Sequence, residues 1–392
     1  MSSPPPIAPV TAANPEPRWL ALDVFRALAV LWMIQGHTFT ALLGSGDIFG
    51  GTFGQIYRLL HGLTAPMFLC GAGLAYGIVT FGAAKPRRLL RRALMLFAIG
   101  TILQLPAAPL AEVVQRRELL AAALQPAALQ LVAACLVLAE LLRTRSASRF
   151  AAAALVVSAA SALLAPWIWN ISLSSRYVLG SWIDGQTGAQ FSLVPWVSFF
   201  LIGAAISALF GASLWRARAR MPLIGLFGLA LSALCYWQFL SGHRLHSLYG
   251  AHPFWLTSPM FVVFRVGMVL TWLAVLSAAS PLLARSFAAW PSLRRLVAAL
   301  SRHSLVAYVV HLSVLYGLPP LRGQHGTAPH FSLLECTGIC ALVLFVSVLS
   351  TLNWERLREL VASVARRFVQ TKRAPLSSPL APPGAAPRDP LV

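Results

Sequence analysis

Long apolar segments separated by short polar stretches recur along this chain from residue 19 to residue 352. A helix of about 20 residues spans a hydrocarbon core of about 30 Å. The pattern predicts about ten transmembrane helices, at 19–43, 62–81, 88–107, 118–142, 150–168, 193–211, 222–240, 257–279, 298–318 and 332–352. We therefore expect an all-α fold, a polytopic integral membrane helix bundle.

The polar flanks divide the chain into four parts. Residues 1–17 are rich in Pro and Ala without periodicity and predict a disordered cytoplasmic tail. Residues 18–352 form the transmembrane domain. Residues 353–373 place apolar side chains at helical spacing opposite arginines, which predicts an amphipathic helix on the inner leaflet. Residues 374–392 predict a second disordered tail.

Composition and charge support a membrane protein and argue against nucleic-acid binding. Charged residues make up 11% of the chain, whereas a soluble domain carries roughly 25%. The net charge of +20 is spread over alternating loops, as the positive-inside rule requires. It predicts a protein of the bacterial inner membrane with cytoplasmic N- and C-termini, since the opposite loops hold only Arg58, Arg116, Arg117, Arg176, Arg244 and Arg322.

Polar side chains inside the apolar segments are the first candidates for chemistry. An Arg near the bilayer centre costs roughly 2.5 to 3.5 kcal/mol to insert, so a partner or a substrate is expected beside it. By depth, Asp23 and Arg26 lie near the cytoplasmic face, whereas the imidazoles and Arg265 lie toward the opposite face. The candidates are Asp23, Arg26, His37, His61, Arg265 and His311.

This polarity fits a transfer reaction across the membrane. A guanidinium binds phosphate oxygens in a bidentate manner, and an imidazole accepts a proton or carries an acyl group. An enzyme that joins a cytosolic donor to an extracytoplasmic acceptor needs both groups, at opposite ends of one passage. The histidines and the five cysteines show no recognised metal-ligand spacing, so no metal site is expected.

Four segments together resemble the transmembrane acyltransferase superfamily. This superfamily includes the acyltransferase-3 enzymes and the heparan-alpha-glucosaminide N-acetyltransferase-like proteins. The segments follow the order of the superfamily and are RWLALDVFRALAVLWMIQGH (18–37), LLHGLTAPMFLCGAGLAYG (59–77), FSLVPWVSFFLIGAAI (191–206) and SRHSLVAYVVHLSVLYG (301–317).

The resemblance implies transfer of an acyl group, typically acetyl, from cytosolic acyl-CoA to an extracytoplasmic sugar or glycan. Acyl-CoA is then the donor substrate, and no bound cofactor is expected. Arg26 and His37 match the Arg and His of the acyltransferase-3 pattern, and His61 lies near the catalytic His of the N-acetyltransferase-like branch at a different local spacing. His37 and His61 are the expected catalytic residues. Substrate binding is expected of Asp23, Arg26, Arg265 and His311.

Two other functions also fit intramembrane Arg and His residues. A secondary transporter uses such groups together with broken helices, although the two halves show no repeat and no acidic residue lies deep in an apolar segment. A non-catalytic membrane subunit on the same fold is the other alternative. Binding or transfer of a labelled acyl group from acetyl-CoA distinguishes the enzyme from the transporter.

Overall fold

The structure is a computed structural model. It describes residues 19–43, 51–81, 86–106, 108–171, 177–183, 191–210, 220–242, 246–250, 252–317, 331–360 and 362–363. The predicted tails 1–17 and 374–392 lie outside the described residues, as do residues 364–373 of the predicted inner-leaflet helix.

Helices form all the regular secondary structure in the described ranges, which confirms the all-α prediction. The first half contains α1 (Leu20–Leu42), α2 (Gly51–His61), α3 (Thr64–Phe81), α4 (Pro86–Gln104), α5 (Leu110–Gln115), α6 (Arg117–Leu124), α7 (Ala128–Leu141), α8 (Ala147–Asn170) and α9 (Tyr177–Ile183). The second half contains α10 (Leu193–Phe210), α11 (Met221–Leu240), α12 (His246–Tyr249), α13 (Phe254–Thr257), α14 (Pro259–Ala278), α15 (Ser280–Ala289), α16 (Pro291–Arg302), α17 (Ser304–Tyr316) and α18 (Leu333–Leu352).

Seven helices in the described residues are long and apolar enough to cross a membrane. They are α1, the segment Leu59–Phe81 that contains α3, and α8, α10, α11, α14 and α18. Two pairs of helices meet at a sharp bend: α6 with α7, at 69°, and α16 with α17, at 82°. The number rises to nine if each bent pair is counted as one span. The protein is therefore an integral membrane helix bundle.

The remaining predicted span, 88–107, corresponds to α4 but is not among these candidates. Arg87, Arg88, Arg91 and Arg92 occupy the first two turns of this helix. These charges suit a lipid headgroup region better than hydrocarbon. The figure of about ten spans is thus an approximation.

The first helix lies at the centre of the bundle. It packs against α3, α14, α16, α17 and α18, and it buries Ala21, Phe25, Val30 and Ile34 almost completely. The α11 helix, in contrast, leaves Leu223 70% exposed, as expected for a lipid-facing surface, because lipid tails solvate apolar side chains. On this central helix Asp23 is buried, and Arg26 and His37 are partly buried.

Small residues bring α3 and α10 into close contact. A Cβ atom added to Gly73 would overlap the backbone of Phe200, and one added to Gly203 would overlap the carbonyl of Cys70. Membrane helices pack this closely only where small residues face each other, because lipid offers no hydrophobic drive for association. This packing fixes α3, which carries a wall of the site described below.

Contacts within the chain divide it into two compact units, Met1–Leu352 and Asn353–Val392. The first contains all the helices named above. In the second, residues 354–360 are helical, and Arg358 forms an ion pair with Glu355 at 2.8 Å on the exposed surface.

Candidate functional site

One face of α1 lines two cavities in succession. Arg26, Ala29 and Val30 border the first cavity, and Met33 and His37 border the second. Steps of three and four residues place side chains on the same face of a helix. At 1.5 Å per residue, Arg26 and His37 are about 16 Å apart along the helix axis. We call these two spaces the arginine cavity and the histidine cavity.

The arginine cavity has a volume of about 110 Å³ and two cationic side chains in its wall, Arg26 and Arg92. Tyr76 also lines it, and its hydroxyl donates a hydrogen bond to Glu140 Oε1 at 2.9 Å. The beginning of α17 reaches the wall at Ser304. Two guanidinium groups beside one cavity provide a binding place for phosphate oxygens.

The histidine cavity is larger, about 200 Å³, and mostly apolar. His37 and His61 both line it, which brings the two predicted catalytic residues to one space. The rest of its wall is Met33, Gly62, Thr64, Ala65, Phe68, Leu69, Ala128, Leu131, Phe191, Trp196 and Tyr308. An apolar cavity with a few convergent polar groups is typical of a small-molecule site.

His37 belongs to a hydrogen-bonded chain that ends on the backbone of α17. Its Nδ1 lies 2.8 Å from Nε2 of His311, and Nδ1 of His311 lies 2.9 Å from the carbonyl oxygen of Ala307. A carbonyl oxygen only accepts, so His311 donates from Nδ1 and, when neutral, accepts at Nε2. His37 must then carry its proton on Nδ1. Its Nε2 is left with a lone pair, as a base or a nucleophile requires.

His61 is held by the residue that precedes His37. A Cβ atom added to Gly36 would overlap the imidazole ring of His61, so only glycine leaves space for that ring. The ring also stacks on Tyr57, at 5.2 Å between centroids, and the Tyr57 hydroxyl donates to the Gly36 carbonyl at 3.3 Å. The buried Nδ1 of His61 has no hydrogen-bond partner among the described residues.

Three of the four predicted substrate-binding residues, Asp23, Arg265 and His311, form contacts with other residues of the protein. Arg265 is 2% exposed. Its guanidinium donates to the Leu59 carbonyl on α2 and lies near the rings of Trp255, Phe261 and Phe264. Asp23 accepts a hydrogen bond from Ser301 Oγ at 2.7 Å. His311 is fully buried behind His37. Only Arg26, of the predicted substrate-binding set, lines one of the two cavities.

Sequence reasoning missed several wall residues. The steps of three and four from Arg26 to His37 were a readable signal for Ala29, Val30 and Met33. Trp196 lies in segment 191–206, one of the four that carry the family resemblance, but a tryptophan by itself is more typical of core packing. Nothing in the local sequence singles out Arg92 or Phe68.

Comparison with known proteins identifies the family. The family described as "Heparan-alpha-glucosaminide N-acetyltransferase, catalytic" matches residues 18–246, a range that contains Arg26, His37 and His61. No match was found among curated proteins. The family match favours the enzyme over the transporter and the non-catalytic subunit. The chain therefore belongs to the heparan-alpha-glucosaminide N-acetyltransferase catalytic family and is an integral membrane acyltransferase.

Proposed function

We propose that this protein transfers an acetyl group from cytosolic acetyl-CoA to a sugar or glycan acceptor on the other side of a bacterial inner membrane. The observation that carries this proposal is the pair of cavities along one face of α1, with Arg26 in the wall of one and His37 in the wall of the other. The cations suit the phosphates of the donor, and the imidazoles suit the chemistry at the acyl group.

The dimensions of the donor support the same proposal. The pantetheine arm of acyl-CoA has about as many bonds as four to five extended residues, which reach about 15 Å. Arg26 and His37 are separated by about 16 Å along α1. Phosphates held by Arg26 and Arg92 would therefore allow the thioester to reach His37.

In the reaction, His37 serves either as a transient acyl carrier or as a general base. As carrier, Nε2 attacks the thioester carbonyl carbon, a C–N bond forms, the C–S bond breaks and CoA leaves as a thiolate. The acceptor's amine or hydroxyl then attacks the same carbon and releases the imidazole. The acceptor loses its proton through His61. This loss balances the proton that the CoA thiolate takes up. As base, His37 removes the acceptor's proton while the acceptor attacks the thioester carbonyl carbon; the C–S bond then breaks, and CoA leaves as a thiolate that takes up this proton.

The other candidates act as positioning residues in this proposal. His311 fixes the tautomer of His37 through the 2.8 Å hydrogen bond. Arg265 ties α14 to the end of α2 that carries His61. Asp23 joins the beginning of α1 to Ser301 on α16, one turn before Arg26. Each contact holds a reacting or binding side chain in place, which matters because an error of about 1 Å costs roughly 10²-fold in rate.

Transfer from labelled acetyl-CoA to an amino sugar by the purified full-length protein tests the proposal. We expect wild-type protein to label the sugar. His37→Ala should keep binding acetyl-CoA but lose about 10²- to 10⁴-fold in transfer rate. His252→Ala is the matched control, because His252 lines neither cavity. Wild-type protein that leaves the sugar unlabelled, or a His37→Ala variant with unchanged transfer, would contradict the proposal.

A further inference from the structure

The arginine cavity and the histidine cavity share their walls. Helices α1, α3, α7 and α17 contribute side chains to both cavities. On α7, Leu129 faces one cavity and Leu131 the other; on α17, Leu305 and Tyr308 do the same. The two spaces are therefore neighbours along α1.

Phe68 lies where the two cavities meet. Among the described residues it is the one that lines both cavities. Its neighbours Met67 and Leu69 are buried at 0% and 2% exposure, so α3 is anchored on both sides of this position. The ring of Phe68 faces the ring of Tyr308, with centroids 6.5 Å apart and planes at 27°. The two rings thus lie side by side in the wall of the histidine cavity.

The two rings also connect this wall to the pair His37 and His311. Tyr308 contacts His311 edge to face, with centroids 5.5 Å apart, and His311 is hydrogen-bonded to His37. Tyr308 is 5% exposed, so its ring has little freedom to move. The Phe68 ring is only partly buried, so it is the less confined of the two rings.

We infer that Phe68 is a specificity-determining residue that restricts the donor to short acyl chains. This inference rests on the proposed function. An acyl tail attached to a thioester at His37 must fit into the histidine cavity, about 200 Å³ in volume. The Phe68 ring forms part of the wall of that cavity, on the side that adjoins the arginine cavity. An acetyl group fits beside it, whereas each further methylene competes with the ring for the same space.

Loss of the ring should therefore change chain-length preference more than it changes activity. A pocket discriminates by about 10- to 200-fold for each methylene that it accepts or rejects. Phe68→Ala joins the two cavities and removes the obstacle to a longer tail. We expect the hexanoyl-to-acetyl ratio of kcat/KM to rise at least about tenfold.

The test measures kcat/KM of purified full-length protein with acetyl-, butyryl- and hexanoyl-CoA. The variants are Phe68→Ala, Phe68→Leu and, as matched control, Phe81→Ala. Phe81 ends the same helix and packs on Phe150 at 5.3 Å between centroids, outside both cavities. The control should keep the wild-type ratios, and Phe68→Leu should give an intermediate shift.

Each result decides a separate question. Wild-type protein that transfers no acyl group from any of the three donors overturns the proposed function, and this inference with it. Active wild-type protein with the same ratios in a folded Phe68→Ala variant overturns the inference alone. If Phe68→Ala does not fold, Phe68→Leu decides in the same way, because leucine keeps an apolar side chain but removes the ring.

Discussion

The Gly36→Ala variant tests how closely His61 must be placed. A Cβ atom at position 36 would stand at covalent distance from Cε1 of His61, whereas non-bonded carbon atoms keep about 3.5–4.0 Å. The imidazole ring must therefore retreat by about 2 Å, or α1 and α2 must separate. The new methyl group also overfills a packed contact, at a cost of about 1–3 kcal/mol in stability.

We expect this displacement to reduce acyl transfer much more than donor binding. A misplacement of about 1 Å costs roughly 10²-fold in rate, so turnover should fall by at least about 10²-fold. Affinity for acetyl-CoA should stay within about threefold of wild type, because Arg26 lies almost three helical turns away. Single-turnover transfer and equilibrium binding on the same purified sample measure both quantities.

Two comparisons isolate the cause. Gly338→Ala is the matched control, since a Cβ atom there meets nothing within 4 Å, and it should leave turnover unchanged. In a His61→Ala background, Gly36→Ala should cost little more, because the ring that it displaces is already gone. A folded Gly36→Ala protein with turnover close to wild type would refute the role given to His61. A full additional loss in the double variant would show that the methyl group acts elsewhere.

Three further predictions concern the donor, the histidine pair and the topology. Arg26→Lys keeps the charge but loses the bidentate fork, so acyl-CoA affinity should drop well beyond twofold; unchanged affinity would make Arg26 structural. His311→Phe keeps a ring of similar size but removes the acceptor for His37 Nδ1–H, so single-turnover transfer should fall by about 10²-fold or more with donor binding retained, and normal transfer would remove His311 from the account. Reporter fusions after Arg143 and after Leu240 should report opposite sides of the membrane, and the same side would contradict the proposed orientation.

The spans were predictable because apolar segments of sufficient length are read directly from composition. The bends were not predicted. Pro126 marks the 69° break between α6 and α7 and was a readable signal, whereas the 82° break between α16 and α17 falls at His303, where neither proline nor glycine marks it. Whether α4 crosses the membrane was not predictable, because its arginines favour the lipid headgroup region and its apolar residues favour the hydrocarbon core. The predicted topology puts the basic segments 85–92 and 143–149 on the same side of the membrane. Because α4 and the bent α6–α7 pair lie between these segments in the chain, either both cross the membrane or neither does.

The site was predictable only where it lies on one helix. Arg26 and His37 belong to a single stretch of α1, and their spacing is visible in the sequence. The contact between His37 and His311 joins residues 274 positions apart, which periodicity cannot reveal. The need for glycine at position 36 depends likewise on a ring from another helix. The positioning roles that we propose for His311 and Arg265 depend on their burial, which the sequence does not show.

Transfer across a sealed bilayer tests the central claim most directly. Full-length protein is reconstituted in vesicles in one orientation, which protease protection of the C-terminal end establishes. Acetyl-CoA is supplied on the side of the termini and an impermeant amino sugar on the other side. The account predicts labelled sugar in this arrangement and a large loss of labelling when donor and acceptor exchange sides. Labelling only when both substrates share one side would contradict a passage from Arg26 to His37 through the membrane.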